Sequence, residues 1–310
     1  MRFRNDPALM SGSIAPLITP FSAAGDLDET SLANLVEWQL RAGTHGISIG
    51  GSTGEPSAQT TQERARAIQI VAGANADRVP LLAGTGSAKL SETLELTQVA
   101  QDSGADAALV ISPYYARPTQ EGMYRWYEAV AREFPDMPIV IYNVPSRTAV
   151  DVAPETVARL FRDFENIVGI KETTKDFEHF SRVMAACGES LLVWSGIELL
   201  CLPLLSIGGI GFISATANVA PNAVASMYNA WLEGKADEAR RLHYALHPLV
   251  DLLFVETNPT TAKWVLENEG RIADAHVRPP LAPTTKAGEA EVRRLLEDAE
   301  ALMSIERGIR

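Results

Sequence analysis

The sequences IVIYN at residues 139–143 and IVGIKETT at residues 167–174 indicate how this chain folds. Each starts as a short apolar run, which is typical of a buried strand, and each run ends abruptly in polar side chains. Tyr142 and Lys171, near the ends of the two runs, are 29 positions apart, about the length of one strand–helix–strand unit. The spacing therefore predicts that they lie side by side on neighbouring parallel strands.

Apolar runs of this kind recur along the chain and keep ending at small or polar residues. There are eight, at residues 13–19, 46–50, 79–84, 107–112, 138–143, 167–171, 191–195 and 211–214. Helical patterns lie between or after them, at residues 28–41, 61–74, 91–103, 120–132, 154–161, 176–187, 198–205 and 222–233. Eight alternating units predict an α/β fold, a (β/α)8 TIM barrel within residues 1–234. A doubly wound sheet is the alternative, although such sheets more often have fewer strands.

The last part of the chain, residues 235–310, has no strand pattern. Helical patterns occur at residues 235–254, 259–270 and 286–309, and a proline-rich link lies at residues 279–283. We therefore expect a C-terminal helical region after the barrel.

Composition narrows the class of protein. The chain has 310 residues, of which 46% are hydrophobic, so it can form a large core. Its net charge of −12 argues against a nucleic-acid partner, because a polyanion requires a basic surface. Cys187 and Cys201 belong to no CxxC pair, which predicts a reduced, cytoplasmic location. Residues 1–10 lack the apolar core of a secretory signal, and residues 199–213 are too interrupted to span a membrane.

Lys171 is the candidate nucleophile. A lysine at the end of a buried strand is partly removed from water, which disfavours the ammonium form and leaves a neutral amine able to attack a carbonyl. Tyr142 beside it could carry protons, and an amine next to a phenol suits Schiff-base chemistry. The alternatives are a lysine paired with Glu172 and a tyrosine buried in the core.

The sequence GGSTGE at residues 50–55 follows the second strand. Its glycines allow close approach of the backbone, and its amides with the hydroxyls of Ser52 and Thr53 could bind a carboxylate or phosphate. A tight turn with a helix cap is the alternative. After the fifth strand, Arg147 could bind a second carboxylate bidentately, or lie on the surface without a ligand.

Two further patterns carry less information. Tyr114 and Tyr115 follow the fourth strand, where paired tyrosines are often packing or interface residues. His243 and His247 lie one helical turn apart, but no third ligand accompanies them, so we expect no metal site.

Taken together, these motifs resemble the dihydrodipicolinate synthase / N-acetylneuraminate lyase superfamily. The resemblance rests on GSTGE (51–55), PYY (113–115) with Pro118, YNVPSRT (142–148), GIKE (169–172) and GFIS (211–214). It extends from about residue 12 to residue 263 and implies a (β/α)8 barrel with a C-terminal helical region. It also implies a class I aldolase-type mechanism without a cofactor, in which Lys171 forms an imine with pyruvate or another 2-oxo acid.

The resemblance implies roles for the remaining site residues. Tyr142 would shuttle protons, while Ser52 and Thr53 would hold the pyruvate carboxylate. The main chain at Ile213 would contact the bound 2-oxo acid, and Gly196 would lie in the substrate pocket.

Quaternary structure is also implied. In the synthases, a proton relay joins the hydroxyl at the Ser52 position, the active-site tyrosine and a tyrosine of the neighbouring subunit at the Tyr115 position. We therefore expect a homotetramer built as a dimer of dimers.

Arg147 favours the synthases within this superfamily, because their arginine at this position binds the carboxylate of aspartate semialdehyde. The expected reaction condenses pyruvate with L-aspartate 4-semialdehyde to 4-hydroxy-tetrahydrodipicolinate, a step in lysine and diaminopimelate synthesis. Ser52 and Ile197 replace the usual threonine and aspartate, and the usual NPIPVK appears here as NPTTAK at residues 258–263. Ser52 and Ile197 favour a paralogous aldolase or dehydratase acting on a sugar-derived or other 2-oxo acid. A non-catalytic 2-oxo-acid-binding protein is a third hypothesis.

Overall fold

The computed structural model describes residues 2–309 and confirms the predicted (β/α)8 barrel. Met1 and Arg310, the outermost residues of the two predicted regions, lie outside the described residues. The strands are β1 (Gly12–Pro16), β2 (Gly46–Ile49), β3 (Leu81–Gly84), β4 (Ala107–Ile111), β5 (Ile139–Asn143), β6 (Ile167–Glu172), β7 (Leu192–Ser195) and β8 (Gly211–Ile213). Each strand pairs in parallel with the next, and β8 pairs with β1 to close the barrel.

The helices of the barrel lie close to their predicted positions. They are α1 (Arg2–Asn5), α2 (Glu29–Arg41), α3 (Thr61–Asn75), α4 (Leu90–Asp102), α5 (Gln120–Glu133), α6 (Pro145–Thr148), α7 (Pro154–Asp163), α8 (Phe177–Cys187), α9 (Cys201–Ser206) and α10 (Pro221–Leu232). A capping box formed by Thr60 and Glu63 starts α3, and Pro221 lies in the first turn of α10. The short helices α1 and α6 are not predicted from the sequence.

Five helices follow the barrel in the part of the chain that the structure describes. They are α11 (Ala236–Ala245), α12 (His247–Leu253), α13 (Thr260–Asn268), α14 (Lys286–Asp298) and α15 (Glu300–Gly308). The predicted helix at residues 235–254 is therefore two helices, because Pro248 has no backbone N–H to continue the helical hydrogen bonds. The helix predicted at residues 286–309 also divides, at Ala299, for which the sequence offers no comparable cause.

The core has two layers. The larger layer lies between the strands and the surrounding helices, and a smaller one fills the barrel interior. Alternation along β5 separates them: Ile139 and Ile141 face the helices, whereas Val140 and Tyr142 face the interior. The N-terminal segment closes the barrel interior at the end where the strands begin. The Trp194 indole donates a hydrogen bond of 3.0 Å to the carbonyl of Met10 in this segment.

The C-terminal helices pack against one another and against the barrel. Helix α10 contacts α11 and α15, and α12 contacts α13 and α14. Among the helices of residues 2–309, none has both the length and the apolarity needed to span a bilayer.

Candidate active site

Lys171 and Tyr142 form the centre of the site. The register of β5 and β6 places them directly opposite each other, as their spacing predicts. The Lys171 Nζ lies 4.4 Å from the centroid of the Tyr142 ring, and both residues are 5% exposed. A buried amine and a phenol therefore meet at the carboxyl ends of two parallel strands, where barrel enzymes carry their chemistry.

The stem of Lys171 passes over Gly196, which follows β7. A Cβ atom at Gly196 would lie 2.6 Å from Cε of Lys171 and 2.1 Å from Cγ2 of Thr173. A glycine is therefore required here to make room for the lysine stem, a role that the sequence does not predict for it.

The turn that follows β2 forms a second wall of the site. Ser52–Gly54 is a turn of 3-10 helix, and the Ser52 Oγ lies 3.3 Å from the Tyr142 hydroxyl. Thr53 is buried, and its Oγ1 accepts a hydrogen bond of 3.0 Å from the Asn258 side chain. Gly50 permits this arrangement, because a Cβ there would approach the Gly84 carbonyl oxygen to 2.7 Å.

A cavity of about 100 Å³ brings most of the predicted residues together. Seven of the eight predicted site residues line it: Ser52, Thr53, Tyr142, Arg147, Lys171, Gly196 and Ile213. A neighbouring cavity of about 260 Å³ shares Ser52, Tyr142 and Arg147, and is also lined by Arg64 and Tyr114. The two cavities therefore adjoin each other at these three residues.

Arg147 lies at the mouth of both cavities. It belongs to α6, which begins at Pro145, and its side chain is exposed. Its Nη2 makes one long hydrogen bond of 3.5 Å, to the Asn258 carbonyl. Most of the guanidinium donors therefore remain available to a ligand.

Tyr115 is the predicted residue that the structure does not bring into the site. It is 95% exposed and has a φ of +72°, which is strained for a side chain of this size. Its neighbour Tyr114 lines the larger cavity instead. The predicted role of Tyr115 in a neighbouring subunit stays a prediction.

Glu172, the residue after Lys171, faces away from the amine. Its carboxylate accepts hydrogen bonds of 3.1 and 2.9 Å from Asn143 and lies 3.2 Å from Nε2 of His179. Burial lowers the pKa of His179, but the Glu172 carboxylate and the charges of nearby aspartates together more than offset this, so the pKa is raised overall. The ion-pair partner of Glu172 is therefore His179 and not Lys171.

Glu198 is a site residue that the sequence reasoning missed. It lines the smaller cavity with Lys171, and its Oε1 accepts a hydrogen bond of 2.9 Å from the Ala215 amide. Withdrawal from water raises the pKa of Glu198, an effect that the Lys171 charge partly opposes. Ile197, the residue before it, departs from the usual sequence of the synthases, but no local pattern indicates that residue 198 faces the lysine.

The other candidate ligands are not gathered into a site. The rings of His243 and His247 lie 5.2 Å apart, and within residues 2–309 no group of three His, Cys, Asp or Glu side chains could hold a metal ion. Cys187 and Cys201 are both free thiols.

The model of the dihydrodipicolinate synthetase family matches residues 9–299. The chain belongs to this family. The 4-hydroxy-tetrahydrodipicolinate synthase of Thermus thermophilus is 48% identical to it, over 93% of this chain and 96% of the relative.

Solved structures agree with this assignment. The chloride-inhibited dihydrodipicolinate synthase from Acinetobacter baumannii, complexed with pyruvate, is 38% identical and superposes with a TM-score of 0.90, over 94% of this chain and 99% of that one. A monomeric dihydrodipicolinate synthase variant is 35% identical, with a TM-score of 0.90 over 95% and 99% of the two chains. Family members of known structure thus share the barrel together with its C-terminal helices.

Proposed function

We propose that this chain is a Schiff-base lyase that condenses pyruvate with L-aspartate 4-semialdehyde to 4-hydroxy-tetrahydrodipicolinate. The observation that carries the proposal is the buried Lys171 amine, 4.4 Å from the centre of the Tyr142 ring in a cavity that Arg147 also lines. The named activity of the Thermus thermophilus relative supports the choice of reaction.

The first step uses Lys171 as the nucleophile. Its neutral amine attacks the C2 carbonyl carbon of pyruvate, and loss of water leaves an imine. The Tyr142 hydroxyl, within 3.3 Å of the Ser52 hydroxyl, supplies and recovers the protons that these steps require. The protonated imine draws electrons from C3, so a C3 proton is lost and an enamine forms.

The second step makes the carbon–carbon bond. The enamine C3 attacks the aldehyde carbon of the semialdehyde, whose oxygen takes up a proton. The amine of the second substrate then replaces the Lys171 nitrogen at C2, which closes the ring and frees the enzyme. Glu198, close to Lys171 and with a raised pKa, is a further group able to hold a proton near these atoms.

Binding is divided between two anion sites. Ser52, Thr53 and their backbone amides hold the pyruvate carboxylate, and the main chain at Ile213 contacts the same molecule. Arg147 holds the carboxylate of the semialdehyde, since a planar guanidinium matches a carboxylate with two parallel hydrogen bonds.

The assembly we propose is a homotetramer, a dimer of dimers. Tyr115 supports this assembly, because its side chain is 95% exposed and its backbone is strained. If Tyr115 reached into the site of a neighbouring subunit, its side chain would be buried and its backbone held in place. We place the reaction in the cytoplasm, which the two free thiols support.

A second candidate is a paralogous aldolase or dehydratase acting on another 2-oxo acid. Ile197 favours it, because this apolar side chain lines the Lys171 cavity where an acidic group is usual in the synthases. The imine chemistry would be the same, and the two proposals differ in the second substrate.

The first prediction concerns Lys171. Incubation with pyruvate and borohydride should leave a reduced adduct on Lys171, and a coupled assay with a dihydrodipicolinate reductase should show NADPH loss when semialdehyde is added. Lys171→Ala should abolish both signals. An adduct without turnover would reject the semialdehyde as substrate, and a folded protein with no adduct would reject Schiff-base chemistry altogether.

The second prediction concerns Arg147. Arg147→Ala should lower kcat/KM for the semialdehyde by about 10- to 100-fold, because a charged hydrogen-bonded pair contributes about 1.5–3 kcal/mol. Formation of the pyruvate imine should be unchanged. Arg147→Lys keeps the charge but loses the paired geometry, so it should recover part of the activity. Equal activity in wild type and Arg147→Ala would favour the second candidate.

A further inference from the structure

A buried ion pair lies directly behind the turn that forms the proposed carboxylate site. Glu55 immediately follows the 3-10 turn Ser52–Gly54, and its carboxylate pairs with the Lys263 ammonium of α13. Lys263 is fully buried, and Glu55 is 4% exposed. The two residues are 208 positions apart in sequence, so the pair joins the C-terminal helices to the barrel mouth.

Both partners make further contacts. The Lys263 Nζ donates a hydrogen bond of 2.8 Å to the His276 carbonyl and lies 4.2 Å from the centroid of the Phe21 ring. The second oxygen of Glu55 accepts a hydrogen bond of 3.0 Å from the Arg278 amide. A buried pair with such partners resists separation, because removing one partner leaves an uncompensated charge out of water.

The backbone at Glu55 requires support of this kind. Its φ of +55° is left-handed, a conformation that costs a residue other than glycine about 1 kcal/mol or more. Its amide closes the turn by donating to the Ser52 carbonyl at 3.3 Å. Fixing the Glu55 side chain therefore fixes the path of the chain immediately after Ser52 and Thr53.

A second contact from the C-terminal region reaches the same turn. Asn258 donates a hydrogen bond to the Thr53 Oγ1 at 3.0 Å. Because Thr53 accepts this bond, its own hydroxyl hydrogen remains free to be donated to a ligand.

We propose that Glu55 and Lys263 are positioning residues for the carboxylate of the 2-oxo acid. Their ion pair holds the turn 52–55 in the shape that directs the Ser52 and Thr53 hydroxyls and amides toward one point. This inference rests on the proposed function. It makes the helices beyond residue 234 part of the pyruvate site, although they contribute none of the proposed catalytic groups.

The test is Lys263→Met in the full chain, with methionine retaining the length and apolar volume of the stem. The pyruvate concentration that gives half-maximal borohydride-trapped imine should rise about 10- to 100-fold, since a displacement of about 1 Å has effects of this size. The maximal imine yield and kcat, both at saturating pyruvate, should change less than threefold. Unchanged pyruvate affinity, or a loss of kcat without a loss of affinity, would overturn the proposal.

Two further variants separate positioning from folding. Lys235→Met breaks an exposed ion pair with Glu233 on the molecular surface and should not change pyruvate affinity. The double variant Glu55→Gln/Lys263→Met leaves no buried charge uncompensated, so it should be more stable than Lys263→Met. Its pyruvate affinity should nevertheless remain low. If affinity recovers together with stability, the pair has a merely structural role.

Different results would reject the proposed function and the positioning role of Glu55 and Lys263. A wild-type protein that traps no pyruvate at any concentration would reject the proposed function. A wild type that forms the imine, with Lys263→Met and the double variant matching it at every pyruvate concentration, would reject the positioning role alone.

Discussion

Tyr142 contacts two groups with different tasks. Its hydroxyl lies 3.3 Å from the Ser52 Oγ, and the centroid of its ring lies 4.4 Å from the Lys171 Nζ. Removing the hydroxyl would leave the ring in place, since the ring packs in the barrel interior with Val140 and Trp194. The phenolic oxygen can therefore be tested apart from the packing.

We predict that Tyr142→Phe lowers kcat about 10²- to 10³-fold, because a positioned acid–base group contributes within this range. Thermal stability should change little. The measurements are the steady-state kcat and the rate of imine formation by rapid mixing and trapping, with Ser52→Ala as a comparison that retains the phenol and should lose less. Imine formation at the wild-type rate in Tyr142→Phe would remove the tyrosine from this step.

At the scale of elements, the packing of β6 against β7 and the segment after it determines where the Lys171 amine lies. Lys171 pairs in register with Trp194, and the chain leaving β7 passes beneath the lysine stem at Gly196. The Gly196 amide donates a hydrogen bond of 2.7 Å to the Glu172 carbonyl, which keeps this segment against β6. A side chain at position 196 has no free space to enter.

We therefore expect Gly196→Ala to displace the Lys171 amine and to lower kcat about 100-fold, the effect of a displacement of about 1 Å. Gly73→Ala is the matched control, since a Cβ at this position in α3 meets no atom within 4 Å and alanine favours helix. Steady-state kinetics and thermal unfolding of both variants provide the measurement. Wild-type kcat in Gly196→Ala would show that the segment after β7 can move aside without cost.

The strands could be predicted because each is marked by a short pattern of neighbouring residues. Apolar runs ending in small or polar residues locate all eight strands, and the spacing of Tyr142 and Lys171 gives their pairing. The Glu55–Lys263 pair could not be predicted in this way, since its partners are 208 positions apart and no local spacing relates the two motifs that contain them. Glu198 begins a three-residue turn of 3-10 helix, Glu198–Leu200, which is too short for a periodic pattern to indicate which side chains face inward. The division at residue 234 remains a prediction about domains.

At the scale of the whole molecule, the last helix is attached through a buried carboxyl. Glu306 of α15 accepts hydrogen bonds of 2.8 and 3.2 Å from the amides of Ala223 and Asn222 at the start of α10. Burial raises the pKa of Glu306 to about 7, although these two bonds act in the opposite direction. The attachment should therefore depend on pH.

The direction of this pH dependence follows from the protonation of Glu306 in the folded and the unfolded chain. The folded chain holds the Glu306 proton up to about pH 7, whereas the ordinary pKa is 4.5, so stability falls as the pH rises between these values. The loss amounts to about 3 kcal/mol at most. Denaturant unfolding at pH 5 and pH 8 should show a smaller difference for Glu306→Gln than for wild type. Glu300→Gln, exposed on the same helix, should behave as wild type does. Equal pH dependence in all three proteins would contradict the assignment.

The closure of the barrel between β1 and β8 has a consequence for protein synthesis. Gly12 pairs with Gly211, so the two partners lie 199 positions apart along the chain. A ribosome that adds roughly 5–20 residues each second needs roughly 10–40 s to produce that length. During this interval the nascent β1 presents an unpaired edge, to which strands of other nascent chains could add. Shielding by chaperones would therefore matter most before residue 211 has left the ribosome.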